Sequence, residues 1–140
     1  MNNTEILYQE ISVFTREITL QTMSFVRGML ITPDLRRKAS ALVSSEELKL
    51  PNGYSLIKPV AKLSTDLTKI IDDLAETLIL EKLAKIAGLG IENFIVLSEE
   101  RGVLLYGSDY DLSKPIYIFL VDPVDSTDLA LMHLGGAVSI

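Results

Sequence analysis

Three aspartates, Asp122, Asp125 and Asp128, fall within seven residues of one another in the stretch LVDPVDSTDLA, Leu120 to Ala130. The apolar run Ile116 to Val121 precedes them, and its Ile and Val content predicts a buried strand. Such a strand would deliver the three carboxylates together at its carboxyl end. Pro123 fixes one backbone angle and has no N–H, which favours a turn directly after the strand. Ser126 or Thr127 could then cap a short helix starting near Asp128, with its first backbone N–H groups facing outward. Carboxylates beside a helix start can hold a hard cation, and the N–H groups can receive a phosphate oxygen. The same spacing also suits an acidic surface turn in which Asp125 caps its own backbone and Asp122 sits in water.

Two further acidic groups lie earlier in the chain. The run TKIIDDLAETLILEKLAKIAG predicts a helix from Thr68, ending at Gly88 or Gly90. Its buried stripe would be Ile71, Leu74, Ala75, Leu78, Ile79, Leu83, Ile86 and Ala87. Asp72, Asp73 and Glu76 crowd the first turns, where the partial positive charge of a helix start favours acids. That role alone accounts for them. Phe94 to Leu97 then reads as a strand, Ser98-Glu99-Glu100-Arg101-Gly102 as an acidic turn, and Val103 to Tyr106 as a returning strand.

The remaining elements frame these groups. Glu5 to Leu30 has helical periodicity, with Ile6, Ile11, Phe14, Ile18, Phe25 and Met29 as the expected buried stripe and Thr15, Glu17, Gln21 and Arg27 on the wetter side. Thr32-Pro33-Asp34 restarts a helix, with Thr32 as cap and Pro33 at the first helical position. The basic cluster Arg36, Arg37 and Lys38 reads first as a solvated face, although it could attract a phosphate. Pro51-Asn52-Gly53 marks a turn, and Tyr54 to Ile57 a brief strand. Lys62 could approach a phosphate if its loop folds back. Tyr106 and Tyr110 read as structural, half-buried tyrosines. His133 is the only histidine, with nothing nearby to complete a triad or a zinc set. Ala137 to Ile140 begins like a strand.

The chain has 140 residues, no Cys, a formal net charge of -6 and 48% hydrophobic residues. That length can bury one core. Lack of Cys excludes disulfides and thiolate metal sites. No apolar run approaches the roughly 18 residues of a membrane span, and the polar amino terminus is unlike a signal peptide, so cytoplasmic residence without membrane attachment is expected. The acidic balance argues against a nucleic-acid partner, but not against a small anionic substrate whose charge is masked by metal.

DPVDST resembles the DP-[hydrophobic]-DG-[Ser/Thr] signature of the inositol monophosphatase and fructose-1,6-bisphosphatase superfamily of magnesium-dependent, lithium-sensitive phosphatases. Ser126 stands where that family's usual pattern has glycine. TKIIDDLAE resembles the family's Thr-x-x-x-Asp-x-x-Ala-Glu segment, particularly in archaeal-type dual inositol monophosphatase and fructose bisphosphatase members. Ser98-Glu99-Glu100 is similar to its Ser/Gly-Glu-Glu element, and the three motifs occur in the family's order.

The resemblance implies an α+β chain with the layered sugar-phosphatase fold of αβαβα type, here the amino-terminal α/β half with an antiparallel-rich sheet. By it, Glu99, Asp122, the Val124 carbonyl and Asp125 hold Mg²⁺. Asp72 and Thr127 orient the attacking water, Glu100 helps it, and the backbone N–H groups of Ser126 and Thr127 receive phosphate oxygens. Glu76, one turn beyond Asp72, supports the helix more than the chemistry. The expected reaction is hydrolysis of a small phosphate monoester, of the inositol monophosphate or fructose-1,6-bisphosphate type, on a phosphorylated sugar or polyol. The resemblance covers the family's amino-terminal half, most strongly Thr68 to Ala130. Residues 1–140 are accordingly expected to be a truncated part of a phosphatase domain, with weak turnover alone and with self-association as a homodimer or pairing with a complementary carboxyl-terminal chain. Two alternatives stay open: an inactive metal-binding or assembly module that needs another chain, and a purely structural acidic domain in which Asp72, Glu99 and Asp122 do not converge.

Overall fold

The computed structural model describes residues 1–44, 47–60, 68–108, 111, 113–125 and 137–139. Helix α1, Asn3–Leu30, starts on a capping box: Asn2 Oδ1 accepts from the Glu5 backbone N–H at 2.8 Å, and Glu5 returns a carboxylate to the Asn2 N–H at 2.8 Å. Its buried residues are Ile18, Thr22, Val26 and Leu30, four apart along one face. The expected stripe is therefore corrected, since Ile6 and Phe25 are exposed. Thr22 can occupy the core because its hydroxyl donates to the Ile18 carbonyl at 2.8 Å, a local solution that hydropathy does not reveal. Although α1 runs for 28 residues, no helix among the described residues is long and apolar enough to cross a membrane.

Helix α2, Pro33–Ala39, has the expected Thr32 cap and Pro33 start, with Thr32 Oγ1 accepting from the Leu35 N–H at 3.1 Å. Asp34 pairs with Arg37 and reaches Lys38 at 3.9 Å, so the basic cluster is partly neutralised at the surface. Strands β1, Leu42–Val43, and β3, Thr68–Lys69, form a short antiparallel ladder. That ladder holds Thr68 and Lys69 extended, so helix α3 begins at Ile70 and not at Thr68. Helix α3, Ile70–Leu83, passes into a 3₁₀ stretch, Ala84–Leu89, which Gly90 ends at φ 85°. Ile71, Ala75, Ile79, Leu80 and Leu83 are buried as a stripe; Leu74 and Ala87 are exposed, contrary to expectation.

Strands β2, Tyr54–Pro59, β4, Phe94–Ser98, β5, Gly102–Tyr106, β6, Ile118–Asp125, and β7, Ala137–Ser139, form a sheet in the order β2-β5-β4-β6-β7. Only the central β4–β6 pair is parallel. The chain is thus α+β, with helices packed on a largely antiparallel sheet. Strand β6 does not stop at Val121. It runs through Pro123, because the pairing with β7 carries an irregularity between Asp122 and Asp125, where a residue without an N–H breaks no ladder bond.

The core lies between the sheet and the helices. Phe94 and Val96 of β4, Leu104 of β5, and Phe119 and Val121 of β6 meet Ile79, Leu80, Leu83 and Ile86, with Ile18 from α1. Each such side chain contributes roughly 1.5–3 kcal/mol when fully buried. Phe94 stacks on Tyr106 with centroids 4.8 Å apart and takes Phe119 edge-on at 5.4 Å, so Tyr106 is structural as expected. The Tyr54 hydroxyl donates to the Leu80 carbonyl at 2.6 Å, tying β2 to α3. A second cluster, Val26, Leu30, Ala39, Ile71 and Ala75, fixes the amino end of α3 against α1 and α2. Strands β4 and β6 and helix α3 are thereby packed on these two clusters.

Candidate functional site

Parallel pairing brings two acidic residues side by side. Ser98 of β4 is in register with Val121 of β6, and the Glu99 N–H donates to the Val121 carbonyl at 3.1 Å. Glu99, the first residue after β4, therefore lies beside Asp122, which stands within β6, and each carboxyl group feels the other. The Glu99 carboxyl is pushed up to about 7. Partial desolvation of its carboxyl group, on a residue that is exposed as a whole, is the largest cause, followed by the neighbouring Asp122, then the charges of Glu100 and Asp72. Asp122 Oδ1 is buried without a hydrogen-bond partner. Leu97, Ser98, Glu99, Leu120, Val121 and Asp122 line a shallow depression of about 390 Å³ here.

The other two acids arrive from different elements. Asp72 is buried in the first turn of α3, which lacks a side-chain cap of its own. Glu100 follows Glu99 in the β4–β5 turn and accepts the Thr68 hydroxyl at 2.5 Å. Thr68 is itself buried, so the first residue of the TKIIDDLAE stretch is tied to the SEE turn. Glu99 thus responds to Asp72, Glu100 and Asp122 at once, an arrangement in which acids from a helix, a turn and a strand share one region.

Val124 and Asp125 lie in the backbone of β6, where Asp125 stands opposite Ala137. The Asp125 side chain, and Ser126, Thr127, Asp128 and the helix expected near it, lie outside the described residues, as do Lys62, Tyr110 and His133. Among the described residues no three Asp, Glu or His side chains form a group that could cage a metal ion. Glu99 and Asp122 still fit a hard cation as a partial set: both are oxygen donors, and one buried carboxylate oxygen lacks a partner.

A buried ionic network backs the acidic turn. Arg101, 3% exposed at its side chain, donates to Glu76 Oε1 at 2.7 Å, Asp73 Oδ1 at 2.6 Å, Thr77 Oγ1 at 2.9 Å and the Lys49 carbonyl at 3.4 Å. Ser98 Oγ accepts from the Arg101 N–H at 2.7 Å and donates to Glu76 Oε1 at 2.5 Å. Burial raises the Glu76 pKa against the opposing pull of Arg101 and Ser98. Glu76 is thus a buried anchor for the turn, which goes beyond the helix support its position suggests. Asp73 serves Arg101 as well as the helix start. The sequence signal was a lone arginine two residues after Glu99, opposite acids spaced three apart on α3.

No protein-family model, no curated protein and no solved structure matches the chain.

Proposed function

We propose that this chain carries the metal-holding part of a Mg²⁺-dependent phosphate monoester hydrolase of the inositol monophosphatase and fructose-1,6-bisphosphatase type, built on the amino-terminal half of the layered αβαβα fold. The observation that carries this reading is the placement of Glu99, at the end of β4, beside Asp122 of the parallel strand β6, with a partnerless carboxylate oxygen on Asp122. Support also comes from Asp72 and Glu100, whose charges reach the same carboxyl group from a helix and a turn. A chance acidic surface would scatter these three elements.

Glu99, Asp122, the Val124 carbonyl and Asp125 would hold the Mg²⁺. When bound, the ion supplies charge neutralisation at the phosphate and acidifies the attacking water. The chain's own residues do the rest. Asp72, together with Thr127, orients that water, and Glu100 assists in accepting its proton. Backbone N–H groups at Ser126 and Thr127 receive phosphate oxygens. The substrate class is a small phosphorylated sugar or polyol.

A second reading is favoured by the absence of a three-ligand group among the described residues: a metal-poor assembly module that binds an ion only with added ligands from a partner. Mg²⁺ titration by calorimetry, with Asp122→Asn in parallel, separates the two. Saturable binding that the variant lacks supports the hydrolase site, and phosphate release from inositol monophosphate or fructose-1,6-bisphosphate would extend it to turnover. Absence of binding to the unaltered chain refutes a metal site formed by this chain alone.

A further inference from the structure

The Glu99–Glu100 turn is bracketed by Ser98 and Arg101, and both are anchored to one carboxylate. Ser98 Oγ and Arg101 Nη1 donate to the same oxygen, Glu76 Oε1, at 2.5 and 2.7 Å. The Arg101 N–H closes the turn on Ser98 Oγ, and its second guanidinium nitrogen reaches Asp73 and Thr77 on α3. Asp72 lies four residues before Glu76 on that helix, and both are buried. Contacts centred on one buried carboxylate therefore tie the helix that carries Asp72 to the turn that carries Glu99 and Glu100.

We infer that Arg101 and Glu76 are positioning residues, a buried guanidinium–carboxylate latch that fixes Glu99 and Glu100 relative to Asp72 and Asp122.

Stability alone is a poor reason for such a pair. Burying two charges costs about as much as their attraction returns, and apolar residues of similar volume commonly serve a core equally well. Here the pair is also incompletely satisfied, because Glu76 Oε2 and Arg101 Nε have no hydrogen-bond partner. What the ionic pair provides and an apolar pair does not is direction. The planar fork of Arg101 engages three α3 side chains at once, which a lysine could not do. The Thr68–Glu100 hydrogen bond adds a second tether from the strand that leads into α3.

The functional side of this inference rests on the proposed metal site, so the experiment reads the latch in two ways. The double variant Glu76→Leu/Arg101→Met replaces the ionic pair by apolar side chains, and Arg101→Lys keeps the charge while removing the fork. Thermal midpoint, amide hydrogen exchange at residues 99–102 against residues 79–83 in α3, and Mg²⁺ affinity are measured on all three proteins. In the double variant we expect a retained midpoint and unchanged exchange in α3. Exchange in the turn should rise about tenfold or more, and Mg²⁺ affinity should fall about 10–100-fold. Arg101→Lys should move both readings in the same direction by less. Unchanged turn exchange in a folded double variant overturns the latch. If that variant does not fold, Arg101→Lys decides by the same criterion. If the unaltered chain binds no Mg²⁺, the metal reading fails, and turn exchange still decides the latch.

Discussion

Asp122→Asn should stabilise the metal-free protein, and only at pH values where Glu99 would otherwise be charged. Glu99 is raised from an ordinary value near 4.5 to about 7, first by desolvation of its carboxyl group and next by Asp122 beside it. Below pH 4.5 both folded and unfolded chains hold that proton, and the pair costs nothing. As pH rises from 4.5 to 7 the unfolded chain releases the proton first, so folded stability falls, and above 7 the full repulsion is present. At about 1.4 kcal/mol per pH decade the unscreened penalty would approach about 3 kcal/mol. Asp122 accounts for only part of this, and because Glu99 is exposed, solvent screening reduces that part to about 1 kcal/mol. An asparagine removes one charge and offers an N–H donor to Glu99, relieving the strain. Thermal unfolding of both proteins in chelator should then show the variant's midpoint rising relative to the unaltered chain, from no difference near pH 4.5 to about 3 °C near pH 8. Saturating Mg²⁺ should reverse the order, since an ion at about a hundred times its dissociation constant adds about 2.7 kcal/mol to the protein that binds it. A variant less stable at pH 8 in chelator, or a difference independent of pH, refutes the adjacency of Glu99 and Asp122 with or without a metal.

Two further outcomes test the frame around the site. Tyr54→Phe removes the buried hydroxyl bond to Leu80, whose carbonyl keeps its helical partner Ala84, so urea unfolding should show a loss of about 1 kcal/mol and no loss of fold. Burial also raises the Tyr54 hydroxyl, so an ultraviolet titration should find one tyrosine that ionises only as the protein unfolds in alkali, with stability falling once pH exceeds the ordinary tyrosine range. Gly102→Ala places a methyl group at φ 104°, 2.7 Å from the Val60 nitrogen and 2.8 Å from the Pro59 carbonyl carbon of β2. That backbone contact cannot yield as a flexible side chain would. We expect a loss of about 3 kcal/mol in urea unfolding together with weaker Mg²⁺ binding, and a change within about 0.5 kcal/mol would contradict the strand pairing.

The sequence by itself determined the local elements. The helical periodicity from Glu5 to Leu30, the Thr32 cap with Pro33, and the short apolar runs at β4 and β5 are local signals, so they place α1, α2 and the hairpin without reference to the rest of the chain. It also picked out Asp72, Glu99 and Asp122 as acids worth watching, through motif order. What it could not determine was which face of α1 is buried, because Thr22 becomes a core residue only through its bond to Ile18 and its place against the sheet. Nor could it foresee β6 running through Pro123, which depends on where β7 pairs. The parallel register of β4 with β6 sets Glu99 beside Asp122 across a separation of 23 positions, and the packing of α3 on the sheet sets Arg101 on Glu76 across 25. Both contacts join charged groups that would stay hydrated and apart in an open chain. They form only because apolar burial elsewhere in the core forces the elements together, so tertiary structure alone decides them.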